Sequence, residues 1–427
     1  MSPQTDDFGT AHGRAGRASE REVMRPPIRV VALITLLLSP AAQALWGDRL
    51  EIFVGEAVVR DDNVFRISGQ SDPMAVLGTS SKGDVYHTTS FGLGLDLPVS
   101  RQRFHGAVSW DDHRYNRFSV LDFTDRHERA AWQWQAGSDL GGELGYSREL
   151  ALASLANVQS GAQSSTPNPL ETQRLFLEGG YRFTPRWELR GELSRLDQSN
   201  EVPQLQVNDM RLGAIGSTLR YITPADNKIG LGLQAQRADL PNPLVVGGVP
   251  VDNSYRQLGV QLVSDWAVTG KSSISGRIGW LDRRHEQLSG RDFSGGVYHV
   301  QYDWQARGKL GLSAVAQRQI SDTEEVNVGF VLMEGIELRP TLALTEKIGL
   351  SGALARYDRD YRGDPGLVLG TVLPRSDRVR SAGLTVSYRP LPRAGLELAL
   401  RRETRTSSAP LGDYDVTILG ARLRVGF

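Results

Sequence analysis

The sequence predicts an all-β chain: a transmembrane, antiparallel, up-and-down β-barrel of about 18 strands, with 16 also compatible, behind an N-terminal signal peptide. Three observations predict it. Apolar and polar residues alternate with period two down to the last residue. Short turns alternate with long polar loops. Outside residues 30–38 no apolar run approaches the roughly 20 residues that a membrane-spanning helix takes.

Composition fits an alternating wall. With 40% hydrophobic residues and a mean hydropathy of −0.31, bulk numbers alone describe a soluble globular chain. A barrel with a polar lumen and a lipid-facing outside has the same moderate hydropathy, because alternation dilutes the apolar residues. The chain also holds 46 Gly, no Cys, and five Lys against abundant Arg. Without Cys there is no disulfide framework and no thiolate metal site. Residues 1–44 carry five basic and four acidic residues, which leaves the remainder at about −1 from a total of zero. No polybasic field points to nucleic acid.

The N-terminus reads as an address. Arg25 and Arg29 precede the apolar run Val30 to Leu38, followed by Ser39, Pro40 and the small-x-small pattern Ala42-Gln43-Ala44. Residues 1–44 are therefore expected to be an N-terminal extension and cleaved signal peptide, and residues 45–427 the barrel. The polar stretch before Met24 leaves two starts open, Met1 and Met24.

Along the mature chain the strand code recurs. Phe91, Leu93, Leu95 and Leu97 alternate with Ser90, Gly92, Gly94 and Asp96. Ile229, Leu231 and Leu233 alternate with glycines, and Tyr298, Val300, Tyr302 and Trp304 with polar residues. The last strand is the clearest: Leu419, Ala421, Leu423, Val425 and Phe427 share one face, and Ile418, Gly420, Arg422, Arg424 and Gly426 the other. A soluble sandwich also alternates, but it does not need so many strands with so little else.

Tight turns are expected near Pro98, Gly137-Ser138, Thr184-Pro185, Pro224 to Asn227, Thr269-Gly270, Arg307-Gly308, Thr345 to Lys347 and Pro390 to Pro392, where Pro presets φ and Gly permits positive φ. Longer polar loops fall at about 61–83, 115–127, 151–169, 199–207, 239–252, 285–293, 359–376 and 405–413, with a shorter one near 321–325. Periplasmic turns and extracellular loops differ in this way, and an even strand number puts both ends on the periplasmic side. Trp134, Phe183, Trp187, Tyr221, Trp266, Trp304, Tyr388 and Phe427 all lie close to a tight turn or the C-terminus, as an interfacial girdle requires.

Two resemblances add to this. Phe427 closing an alternating strand resembles the signal of outer-membrane barrels read by the barrel-assembly machinery. The series Asp61-Asp62-Asn63-Val64-Phe65-Arg66, Ser100-Arg101-Gln102-Arg103-Phe104, Trp110-Asp111-Asp112-His113-Arg114-Tyr115-Asn116-Arg117-Phe118, Trp132-Gln133-Trp134 and Gly142-Glu143-Leu144-Gly145-Tyr146 resembles the EpsL family. These are outer-membrane proteins of exopolysaccharide operons, often found with an exosortase. The likeness is strongest over residues 46–150. It implies an outer-membrane location in a Gram-negative-type bacterium, outer-membrane lipid around the barrel, and polysaccharide with its synthesis and export proteins as partners.

Three functional readings follow: a component of polysaccharide export, a diffusion porin for small solutes, and a barrel hydrolase. Sixteen to 18 strands leave an aqueous channel. Lumen-facing candidates carry both signs: Arg174, Glu178, Arg182, Glu188, Arg190, Glu192, Arg277, Glu397, Arg401, Arg422 and Arg424. Such a ladder sets a transverse field and offers guanidinium forks to carboxylates; the plainer reading is mutual pairing that stiffens the wall. For catalysis, Asp111 and His113 share one strand face and Asp112 takes the other. No nucleophile elbow and no H-E-x-x-H accompanies them. Thr269-Gly270-Lys271-Ser272 lacks the earlier Gly of a phosphate loop. No cofactor, metal or catalytic residue is expected.

Overall fold

A computed structural model describes residues 49–155, 167–246, 248–321, 329–363 and 375–427. The expected signal segment, 1–44, lies outside the described residues. Eighteen strands form one closed sheet. In chain order they are β1 (Leu50–Asp61), β2 (Asp84–Val99), β3 (Gln102–Tyr115), β4 (Phe123–Ala136), β5 (Leu140–Leu152), β6 (Pro169–Thr184), β7 (Trp187–Asn200), β8 (Met210–Ile222) and β9 (Lys228–Asp239), then β12 (Tyr255–Thr269), β13 (Ser272–His285), β14 (Phe293–Arg307), β15 (Leu310–Ser321), β16 (Phe330–Ala343), β17 (Ile348–Arg362), β18 (Arg375–Leu391), β19 (Ala394–Ser407) and β20 (Tyr414–Gly426). The short strands β10 (Leu244–Val246) and β11 (Val249–Val251) pair only with each other, in the loop after β9. Each wall strand runs antiparallel to its neighbours. The barrel closes where β1 meets β20, from Phe53↔Gly426 to Asp61↔Ile418. Closure removes both sheet edges.

The expected count of 18 holds, and so does every tight turn. The turn placed near Pro98 falls two residues later: Pro98 stays in β2, and Ser100 makes the turn at φ 57°. Four hairpins carry a register shift on the strand entering the turn, between Arg182 and Thr184, Ala267 and Thr269, Gln305 and Arg307, and Tyr388 and Leu391. Each tightens the chain reversal by a bulge. The loop after β1 holds a short helix, α1 (Pro73–Leu77), capped by the Asp72 carboxylate and ended by Gly78 at φ 68°. Neither that helix nor the β10–β11 hairpin is visible in the alternation pattern, which reports walls rather than loops.

Alternation sorts the wall. Large apolar side chains stand on the outside, Leu231 and Leu233 at 65% and 66% exposure. Soluble monomers rarely leave such a band bare. No helix among the described residues is long and apolar enough to cross a membrane. Strands of 12 to 17 residues exceed the 9–11 or so that a bilayer needs, so their ends project into the headgroup layers.

Glycine on the inner face makes room for rings. Gly92 lies opposite Phe53; a Cβ there would sit 2.2 Å from the ring. The Arg424 guanidinium covers the other side of that ring at 3.7 Å. Gly92, Phe53 and Arg424 thus stack across β2, β1 and β20, at the closure seam. Gly335 under Tyr357 repeats the arrangement between β16 and β17.

Candidate functional site

The inner wall is polar. On β6, Leu175, Leu177, Tyr181 and Phe183 are exposed outside, so Arg174, Glu178 and Arg182 face in. The same parity turns Glu188, Arg190 and Glu192 inward on β7, Arg277 on β13, Glu397 and Arg401 on β19, and Arg422 and Arg424 on β20. Register pairs some of them: Arg182 opposes Glu188 and Glu397 opposes Arg422. Arg424 reaches Glu51 at 3.0 Å, Arg401 is bonded to Glu403, and Arg174 lies over the Phe176 ring. Arg277 stands opposite His299. Glu143, Glu178 and Glu192 fall side by side on three successive strands.

The strand pairing also joins groups that the sequence left apart. Arg220 spans β9 to Asp265 at 3.3 Å. Arg103 forks onto Asp96. Arg339 and Tyr357 both bind Glu337. Near the loop end, Asp377 has no exposed side-chain surface. It accepts from Arg375 at 2.6 Å and from Ser407, with Arg405 at 3.9 Å; Arg375 and Arg405 in turn lie over Tyr361 and Tyr414. Inward carboxylates predominate on β1–β5 (Asp61, Asp84, Asp96, Asp111, Asp125, Glu143) and guanidiniums on β17–β20 (Arg359, Arg375, Arg401, Arg405, Arg422, Arg424). The wall is therefore polarised around its circumference.

The loop after β1 folds inward at the loop-side mouth. Asn63 anchors it. Its side chain accepts from Ile67 N at 3.0 Å and donates to Ile67 O and to Asp415 O on β20. Ile67, fully buried, packs with Val64, Phe65, Phe118 and Leu121, and Phe65 meets Phe118 edge-on at 4.9 Å. Arg66, at φ 54°, pairs with Asp61 at 2.9 Å. Lys82 holds the returning limb through Ser68 O at 2.7 Å. A cavity of about 320 Å³ remains, lined by Asp61, Arg66, the stacked pair Tyr86 and Tyr115, and by Arg401 and Glu403 from across the seam. Of these six the sequence reading had singled out Arg401 as a lumen candidate. Asp61, Arg66 and Tyr115 lie in segments quoted for the family resemblance, and only tertiary contacts reveal their role at the mouth.

His113 is a strut. Thr88 Oγ1 is 2.9 Å from its Nδ1 and Asp125 is 3.0 Å from its Nε2, so both ring nitrogens are engaged across β2, β3 and β4. Asp111, on the same face, binds Ser90; Asp112 points outward to Arg114 and Thr124. Among the described residues no group of three or more His, Cys, Asp or Glu could hold a metal.

A family model described as "Putative beta-barrel porin 2" matches residues 259–427, from within β12 to the C-terminus. The fold is similar to the outer membrane protein OpdK of Pseudomonas aeruginosa, at 11% identity and a TM-score of 0.49 over 89% of this chain and 99% of that one. It is also similar to OccK9 (OpdG) of the same organism, at 14% identity and a TM-score of 0.47 over 89% and 98%. The alcaligin receptor FauA of Bordetella pertussis matches at 12% identity and a TM-score of 0.42 over 88% and 76%. No curated protein matches the sequence. The closed 18-stranded wall and its apolar exterior make the chain a β-barrel of the membrane-spanning kind, and its last 169 residues are similar to the porin-family model.

Proposed function

We propose that the barrel is a diffusion channel for small solutes that carry carboxylates, sugar acids among them. The observation that carries this reading is the mouth: between the inward loop and the wall at the seam lies a cavity of about 320 Å³ where Arg66 and Arg401 lie beside two stacked tyrosines. Arginine forks suit carboxylates, and aromatic faces suit the apolar faces of sugar rings. The inward arginines of β17–β20 continue that preference along the wall. The test is uptake by liposomes holding the purified barrel, comparing glucuronate with glucose. The triple variant Arg277→Gln, Arg401→Gln, Arg422→Gln is expected to lower glucuronate entry several-fold and leave glucose entry near its starting rate. Equal loss for both sugars, or none, overturns the carboxylate preference.

A second reading, a role in extracellular polysaccharide export, is favoured by one observation. The segments that resemble the EpsL family, around Asp61–Arg66 and Trp110–Phe118, build the mouth. Under this reading the cavity engages the polymer or its end, and synthesis and export proteins are partners. Deleting the gene is then expected to lower secreted polysaccharide while polymer or precursor accumulates inside. Unchanged secretion removes this reading and leaves the diffusion channel. Removal of residues 1–44, passage through the barrel-assembly machinery by way of Phe427, and insertion into the outer-membrane lipid belong to the same proposal.

A further inference from the structure

The outer face of the wall carries a second kind of site. On β7, β8, β9, β12 and β13, register places Arg195, Gly213, Arg237, Arg256 and Arg284 side by side at one level. All four arginines are exposed. Cross-strand neighbours sit about 5 Å apart, where like charges repel. The chain nevertheless sets Arg237, Arg256 and Arg284 on three adjoining strands. Each has a carboxylate beside it: Asp197 for Arg195, Asp239 for Arg237, Glu286 for Arg256 and Asp282 for Arg284. Asp197 also serves Arg211, and Arg284 also reaches Asp292. A guanidinium has five donors and a carboxylate engages two, so each pair keeps donors for a further anion.

The next level toward the turns is apolar. Leu193, Ile215, Ala235 and Leu258 stand in one row directly beneath the arginines. With Leu175 and Leu177 they line an open groove of about 810 Å³. Small residues make it: a Cβ built on Gly213 meets nothing within 4 Å, and Ala235 continues the hollow. An acyl-sized trough thus runs up the wall and ends under a row of cations. Strands about 4.8 Å apart make the span from β7 to β13 roughly 19 Å, too wide for one phosphate. The opposite, turn-side end of the outer wall carries aromatics instead, among them Trp187, Tyr221 and Trp266.

The geometry points to a lipid-binding site for a phosphorylated, multiply acylated glycolipid of the lipid A type, its acyl chain in the Leu193–Leu258 groove and its phosphates on the Arg195–Arg284 row. The loop end is then the outward leaflet, in keeping with short turns on the periplasmic side. This surface is separate from the lumen and does not depend on what crosses it.

The test uses the full-length barrel in detergent micelles, titrated with bisphosphorylated hexa-acyl lipid A, the same lipid after dephosphorylation, and phosphatidylglycerol, with bound lipid read by native mass spectrometry. Bisphosphorylated lipid A is expected to bind at least tenfold more tightly than either competitor. Arg237→Gln with Arg256→Gln, and separately Gly213→Leu, which fills the groove without touching a charge, are each expected to weaken it at least tenfold. Arg378→Gln on β18, outside the groove, is expected to leave it unchanged. Heat-modified migration on gels confirms that each variant is folded. Equal binding of the three lipids, a preference for phosphatidylglycerol, or full binding by the folded Arg or Gly213 variants would overturn the assignment.

Discussion

Replacing Leu233 by Arg probes the outer face where it is most sensitive. Leu233 is the sixth of the 12 residues of β9, so it stands near the middle of the apolar band. It is flanked across the strands by Ser217 and Val260. An arginine on the lipid face at the bilayer midplane costs roughly 2–4 kcal/mol, falling to about 0–1 near the interfaces. Leu233→Arg is therefore expected to shift the folding equilibrium by roughly 30- to 700-fold. Leu310→Arg, at the first position of β15 beside the turn lysine Lys309, is expected to shift it less than about sixfold. Gln234→Arg, one residue on and facing the lumen, serves as the control for charge alone. The assay is urea-controlled folding into phospholipid vesicles, followed by tryptophan fluorescence. The reasoning fails if the Leu233 and Leu310 variants fold equally well, or if Leu233→Arg stabilises a lipid-free soluble form.

Other consequences follow from the same wall. Asp377→Ala removes the carboxylate shared by Arg375, Arg405 and Ser407 and takes the nearest counter-charge from two buried guanidiniums; the expected loss is about 3–5 kcal/mol, read as a lower urea midpoint. Gly92→Val drives a Cβ into the Phe53 ring and lifts it from under Arg424 at the seam. A loss of about 1–3 kcal/mol is expected, with a lower temperature for loss of the compact gel band; an unchanged band shows that the stack is not needed for closure. Conservative Phe53→Leu, which leaves Gly92 free, is expected to cost less than Gly92→Val.

The wall was legible because its code is local. In β20 the parity of Leu419 to Phe427 decides facing without any knowledge of partners, and the turn residues, such as Gly137 at φ 70°, mark where each hairpin reverses. The hydrogen-bonded register was not legible, since a period of two is satisfied by any even shift. The Arg195–Arg284 level, the Glu143–Glu178–Glu192 row and the Arg220–Asp265 pair all follow from register alone. The mouth was hidden for a different reason. Asn63, Ile67 and Arg66 sit in a polar-looking loop whose apolar members, Val64, Phe65 and Ile67, have no period. Their partners are distant in sequence: Phe118 and Leu121 come from the loop after β3, and Asp415 is reached only through closure of the barrel. Gly92 and Gly335 likewise read as weak strand positions until the rings opposite them, Phe53 and Tyr357, are known.

The account turns on a water-filled lumen narrowed by the loop after β1, and single-channel conductance in planar bilayers tests it most directly. Asp61 and Asp84 pair at the base of that loop, so residues 64–81 can be exchanged for a short Gly-Ser linker without opening the wall. The account predicts stepwise conductance from the full chain and clearly larger steps from the loop-exchanged barrel. Absence of steps from both proteins, each shown to be folded and inserted, or identical steps from the two, would contradict it.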